Sequence, residues 1–204
     1  MHIFSYIVRY DVGFAPNPFY GFCTLATCKP KIRKAAQVGD WIVGTGSRSR
    51  GNSGRLVFAM RVDETLTFDA YWDDERFARK RPNMHGNLKQ TVGDNIYHRD
   101  VPTGRWLQED SRHTRADGTP NSEHVVRDTA TDVVLVSRRF SYFGAHGPEV
   151  PGHLRTGPDL DLIHGSSAHR HRFTVERVLA AHDWLCTLQP GYLHPPPDIR
   201  VIQL

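Results

Sequence analysis

The sequence predicts an α+β fold: a curved mixed sheet, or partly open β-barrel, with flanking helices in a single domain over residues 1–204. Three observations carry this. Residues 38–64 read as a strand pair around a polar loop, residues 132–138 as a further buried apolar strand, and residues 67–80 and 174–188 as amphipathic helices. The chain of 204 residues is long enough for one sizeable core, and it shows no internal repeat or domain boundary.

The elements follow in order. His2 to Arg9, with Ile3, Tyr6 and Val8, alternates as a first strand. Asp11 to Tyr20 holds two prolines, a glycine and three aromatics, so it is an ordered loop rather than a helix or central strand. Gly21 to Thr27 is a short strand or turn, and Pro30 to Gln37 a short basic helix. Val38-Gly39-Asp40 turns into a buried strand, Trp41 to Gly46. A Gly/Arg/Ser loop follows, then a second strand, Arg55 to Glu64. This succession resembles the wiring of small barrels of the pseudouridine-synthase-and-archaeosine-transglycosylase (PUA-like, ASCH/EVE-like) type. The resemblance implies a cleft of the kind that often holds RNA, or a modified or flipped base.

Thr67 to Lys80 is predicted helical, with Thr67 as its cap and Arg79-Lys80-Arg81-Pro82 ending it. Residues 83–127 are polar; only Ile96–His98 and Arg105–Leu107 suggest strands. A loop system of this length in a compact domain is usually functional. Asp132 to Arg138 is a buried strand, followed by an aromatic bend at Arg139–Gly144. Residues 149–171 are irregular and histidine-rich, Thr174 to Leu188 is a helix, and Pro195-Pro196-Pro197 is polyproline-like.

Composition narrows the function classes. Net charge is +4 and the pI about 9.1, compatible with a polyanionic partner. All but one of the twelve histidines lie after residue 84. No run approaches the roughly 20 apolar residues of a membrane span. The N-terminus lacks the pattern of a signal peptide. The cysteines, Cys23, Cys28 and Cys186, are too sparse for a disulfide framework. A soluble cytoplasmic protein of bacterial kind, without a membrane partner, is expected.

Several groups are candidates for chemistry. Gly44 to Gly54 is not a familiar phosphate loop, because no Gly-Lys-Ser/Thr follows and the next element is a strand. Arg48, Arg50 and Arg55 remain candidate phosphate anchors, against the plain reading of a solvated hairpin. Lys29, Lys31, Arg33 and Lys34 form a basic patch or a solvated helical face. Phe14, Phe19 and Tyr20 offer rings for a base, and Asp11 and Asn17 offer groups for its edge; the bland alternative is that these rings plug the fold and Asn17 satisfies backbone. Cys23 and Cys28 need further ligands for zinc, from His98, His113 or His124. Reduced core cysteines are the plainer reading, and no metal is assigned. A thiol nucleophile at Cys28 beside Lys29 is a further option. Asp94 and His98, with Tyr97, suggest an acid–base pair, against an Asx turn with an exposed histidine. His164, His169 and His171, interleaved with Arg170 and Arg172, offer adventitious metal ligands, against the plainer reading of a mobile basic arm.

Taken together, Ser5–Val8, Asp11–Phe19, Cys23–Pro30, Val38–Gly46, Leu56–Val62, Gly93–Tyr97 and Asp132–Ser137 leading to Phe140 and Tyr142–Gly144 resemble the nucleotide-modification-associated domain family of the second type. The likeness spans about residues 3–151; the histidine-rich segment and C-terminal helix of 152–204 depart from it. It implies a role in hypermodification of DNA bases, with DNA or a nucleotide as partner, and supplies neither reaction nor cofactor. The resemblance carries over Asp11, Asn17, Cys28, Lys29, Arg33, Asp94 and Asn95 as matching positions, without giving any of them a catalytic role.

Three functions follow as expectations. The first is an enzyme or accessory acting on a base or nucleotide, with Asp94, His98 and Asp11 catalytic. Phe14, Asn17, Tyr20, Lys29, Arg33, Asn95 and Tyr97 would then line its nucleotide site. The second is a non-catalytic reader of modified or flipped bases, and the third a nuclease.

Overall fold

A computed structural model describes residues 1–157, 159–163 and 168–200. Its largest sheet has six strands: β1 (Ile3–Ile7), β3 (Trp41–Thr45), β4 (Leu56–Arg61), β9 (Arg139–Tyr142), β10 (His169–Arg170) and β11 (Gly191–Tyr192), in the order β10-β1-β3-β4-β9-β11. β1 runs parallel to β3 and β11 parallel to β9; the other pairings are antiparallel. A second sheet orders β2 (Cys23–Leu25), β8 (Val134–Ser137) and β5 (Glu64–Leu66), and a hairpin pairs β6 (Tyr97–Arg99) with β7 (Trp106–Gln108). The fold is thus α+β, as predicted, but none of these sheets closes into a barrel among the described residues.

The six-stranded sheet is covered on both faces, following the two-residue period of a strand. Ile3, Trp41, Val43, Leu56 and Ala59 pack with Val178, Ala181 and Leu185 of α4 (Val175–Cys186). Phe4, Tyr6, Ile42, Phe58 and Met60 face Cys23, Leu25 and Leu135 of the second sheet and Ile32 of α1 (Pro30–Ala35). The far side of the second sheet buries Phe68 and Tyr71 of α2 (Phe68–Asp73) with Phe14, Phe19, Ile96 and Tyr97. No helix among the described residues is long and apolar enough to cross a membrane.

The predicted helix over 67–80 divides in two. Thr67 Oγ1 accepts from the Ala70 amide at 3.1 Å and starts α2. Asp74 then takes an extended conformation and caps a separate 3-10 helix, Glu75–Lys80. The aromatic bend after residue 138 is instead strand β9, because its backbone completes the ladder of β4. Helix α3 (Ser122–Asp128) lies inside the segment expected to be loop; Asn121 caps it by accepting from the Glu123 amide. The histidine arm docks: His169 and Arg170 pair with β1, and the His171 ring stacks on Phe4. His164 lies outside the described residues.

Gly44 and Gly46 serve packing. A Cβ on Gly44 would lie 2.1 Å from the Phe58 ring, and one on Gly46 would lie 2.1 Å from the Asn52 carbonyl oxygen.

Candidate active site

Three residues distant in sequence converge at the start of α1. Cys28 Sγ lies 3.6 Å from His113 Nε2, and His113 Nδ1 lies 2.7 Å from Asp128 Oδ2. Each comes from a different element: Cys28 from the turn into α1, His113 from the loop after β7, and Asp128 from the end of α3. A thiol, an imidazole at hydrogen-bond reach and a carboxylate orienting that imidazole form the arrangement of nucleophilic catalysis.

The local backbone holds the thiol in place. Cys28 and Lys29 both adopt left-handed conformations, with φ of 56° and 43°. Such conformations cost non-glycine residues of order 1–3 kcal/mol each and cluster at functional sites. Pro30 then begins α1, where a missing N–H leaves no bond unmade. The Cys28 amide donates to Asp128 Oδ1 at 3.0 Å, so one carboxylate orients both the imidazole and the backbone of the cysteine. Tyr97 Oη also donates to Asp128 Oδ2 at 3.1 Å, and Arg127 Nε to Oδ1 at 3.1 Å.

Arg33 ties the same parts together from beneath. It is fully buried. Its Nε donates to the Cys28 carbonyl at 2.9 Å, and its Nη2 donates to the Asp128 carbonyl. Nη1 donates to the Val133 carbonyl at 2.7 Å. Burial pulls this guanidinium down to about 10, against the pull of Asp128.

Electrostatics set the charge states. Burial alone would lower the His113 pKa, but the bond to Asp128 and the proximity of Cys28 outweigh it and raise it to about 9. Burial alone would raise Asp128; His113 and Arg127 outweigh that and hold it at about 2. At neutral pH His113 is therefore a cation whose Nε2–H points at sulfur, the kind of surrounding in which thiols become reactive. Arg127, exposed beside the site, brings Nη2 to 3.4 Å from the same nitrogen.

The three ligand atoms also lie within 4.8 Å of one another, and sulfur, nitrogen and carboxylate oxygen suit zinc. The ring orientation does not suit one ion held by all three. One imidazole nitrogen faces the thiol and the other faces the carboxylate. An ion between Sγ and Nε2 would have Asp128 only as support behind the ring, with the Arg127 cation beside it. The geometry fits a hydrogen-bonded triad better.

The other predicted site residues are placed as follows. Asp94 is fully buried, accepting from Thr24 Oγ1 at 2.7 Å and Tyr71 Oη at 2.8 Å. His98 is not its partner: it bonds Glu109 at 2.9 Å and stacks on Trp72. Asn17 is also fully buried. Its side chain donates to the Gly13 and Val92 carbonyls and accepts from Lys80 Nζ at 2.6 Å. Asn95 is buried and donates to the Tyr71 carbonyl. These groups brace the fold, since a buried polar group needs its bonds made internally. Phe14 is buried with its ring 4.6 Å from that of His113, so it walls the site rather than offering a free face. Tyr97 acts on Asp128, and Lys29 Nζ sits 4.5 Å from the centre of the Tyr6 ring. Asp11 accepts from Tyr142 Oη, and burial pushes its carboxyl up to about 6. Among the arginines of the glycine-rich loop, Arg50 pairs with Asp198 at 3.1 Å and Arg55 with Glu149 at 3.3 Å, while Arg48 is exposed. Tyr20 lines an open cleft.

His113 was only one of three candidate ligands in the sequence, and Asp128 carried no signal. Their positions relative to Cys28 depend on how α3 and the preceding loop fold back. His124 packs edge-on against the His113 ring without joining the triad.

The fold and this site define an α+β protein with a thiol–imidazole–carboxylate centre. The chain belongs to the nucleotide modification associated domain 2 family, whose sequence profile matches residues 1–203. No curated protein and no solved structure matches it.

Proposed function

We propose that the chain is an enzyme of nucleotide or DNA-base modification that uses Cys28 as a nucleophile. The observation that carries this reading is the Cys28–His113–Asp128 arrangement. The family supports the substrate class, a nucleotide or a base within DNA. Cys28 Sγ attacks an electrophilic sp² carbon of the substrate as its proton is held by His113 Nε2. His113 then returns that proton to the group that leaves, and Asp128 keeps the ring in place through both transfers. The thioester-like or thioether adduct is released when water or an amine displaces sulfur. Arg127 stands where negative charge on the substrate would be met.

The test is intact-mass spectrometry of the protein after brief incubation with base-modified nucleotides and DNA. A substrate-sized adduct on wild type, absent from Cys28→Ala, is expected. Turnover that survives Cys28→Ala would defeat the assignment.

The alternative, a non-catalytic reader of modified or flipped bases in DNA or RNA, draws on a separate observation: Tyr20 lines an open, cationic cleft. A nuclease reading has no comparable support.

A further inference from the structure

A cleft of about 740 Å³ opens between the Asp11–Tyr20 loop, the end of the Glu75–Lys80 helix and strand β11. Arg79, Arg81, Lys89 and Arg138 line it with Tyr20 and Tyr192, and among the described residues no carboxylate does. None of these four cations is in an ion pair among the described residues. Instead they lie against rings: Arg79 4.3 Å from the centre of Tyr20, Lys89 5.3 Å from Tyr192, Arg81 4.3 Å from Trp72 and Arg138 4.9 Å from Phe22. Converging cations without counter-charges repel one another, and a bound anion relieves that repulsion.

The cleft is also held in shape. Lys80, between two of its arginines, is fully buried. Its Nζ donates to the Asn17 side chain at 2.6 Å, the Phe22 carbonyl at 3.1 Å and Thr24 Oγ1 at 3.0 Å. That anchor ties the arginine-bearing segment to the loop carrying Tyr20. Tyr20 itself adopts φ of 61°, the only left-handed non-glycine residue in the chain's described part apart from Cys28 and Lys29. The same loop reaches the thiol centre, because Phe14 packs on His113.

We infer that this cleft is a nucleoside-phosphate site: arginine and lysine groups take the phosphate, and Tyr20 and Tyr192 stack the base. Guanidinium groups suit phosphate oxygens, and an aromatic face accepts any base. The ligand is either a free nucleotide or one nucleotide of a single strand, which share this chemistry. The inference rests on the nucleotide part of the proposed function and not on the thiol.

The test is fluorescence-anisotropy binding of labelled dATP and labelled oligo(dT) to the full chain at two salt concentrations. Arg138→Glu, at an exposed position, is expected to weaken binding at least tenfold and to flatten its salt dependence. Tyr192→Ala is expected to weaken it at least fivefold, with Tyr192→Phe retaining wild-type binding and Cys28→Ala unchanged. Tighter binding of dATP assigns the site to free nucleotides, and tighter binding of oligo(dT) to a strand. Binding of neither probe, or binding indifferent to both Arg138→Glu and Tyr192→Ala, overturns the inference. Loss of Tyr192 without effect beside a strong Arg138 effect overturns the stacking role. The Cys28→Ala arm separates the two accounts: a thiol that proves inert leaves this binding intact, and a cleft that binds nothing leaves the thiol reactive.

Discussion

The amide of Cys28 donates to Asp128 Oδ1 across 100 residues of sequence, while the other oxygen of the same carboxylate holds His113. One buried acid therefore sets both the backbone of Cys28 and the orientation of the His113 ring. Asp128 is also fixed by Tyr97 and, through its carbonyl, by Arg33, two buried groups that preorganise the triad.

Asp128→Asn tests this coupling through pH. The His113 pKa is raised from 6.5 to about 9, so its contribution is complete below pH 6.5 and fades as pH rises through about 9. The Asp128 pKa is lowered from 3.8 to about 2, so its contribution is complete above pH 3.8 and is lost as pH falls through about 2. The two shifts describe one pair, which stabilises most between pH 3.8 and 6.5. Urea midpoints of wild type and Asp128→Asn should differ most in that window and approach each other at about pH 9 and above. A gap that does not vary with pH would contradict the charge states assigned to the pair.

Lys80→Ala should destabilise the fold by about 3–5 kcal/mol, the usual result of stripping a buried charge of its partner. Asp94 is that partner in charge: Lys80 and Asp94 both bond Thr24 Oγ1, and burial draws Lys80 down to about 8 against the pull of Asp94. The double change Lys80→Met with Asp94→Leu should cost less than either polar loss alone. Denaturant titration reads both, and an additive double variant would mean that the two groups are not coupled.

Asn17→Ala should lower stability by about 1–3 kcal/mol, because it leaves the buried Val92 carbonyl without its donor. Lys80 keeps its bonds to the Phe22 carbonyl and Thr24 Oγ1, so the cleft stays anchored and oligonucleotide binding per folded molecule should hold within threefold. A stable Asn17→Ala protein that has lost binding would restore Asn17 to the nucleotide site.

Arg50→Ala should leave nucleotide affinity within twofold of wild type, since Arg50 already neutralises Asp198. The contrast with Arg138→Glu, in one anisotropy series, distinguishes the glycine-rich loop from the cleft as the phosphate anchor.

Much of the fold was legible in the sequence. Trp41–Thr45, Leu56–Arg61 and Val134–Ser137 are apolar enough to be strands in any context, and Thr67 and Thr174 cap the helices predicted from them. Arg139–Tyr142 was not, because its strand character comes from pairing with β4 rather than from its own alternation. Of the triad, Cys28 was legible as a thiol beside Lys29 and His113 as one of three possible zinc ligands, while Phe14, Arg33 and Tyr97 were named without their tie to it. A buried Asn17 or Asp94 has the same sequence signature as an exposed one, and only the surrounding Lys80, Thr24 and Tyr71 reveal a brace. His113 and Asp128 sit in a polar stretch whose folding is decided by tertiary contacts.

The most direct measurement is the rate of iodoacetamide alkylation at each cysteine, followed by peptide mass spectrometry at neutral pH. Cys23 is buried and Cys186 exposed, so both serve as internal references. Cys28 should react at least tenfold faster than Cys186, and His113→Gln should bring it to the Cys186 rate or below. A Cys28 no faster than Cys186 in the wild type, or one indifferent to His113→Gln, would contradict the account of a thiol centre.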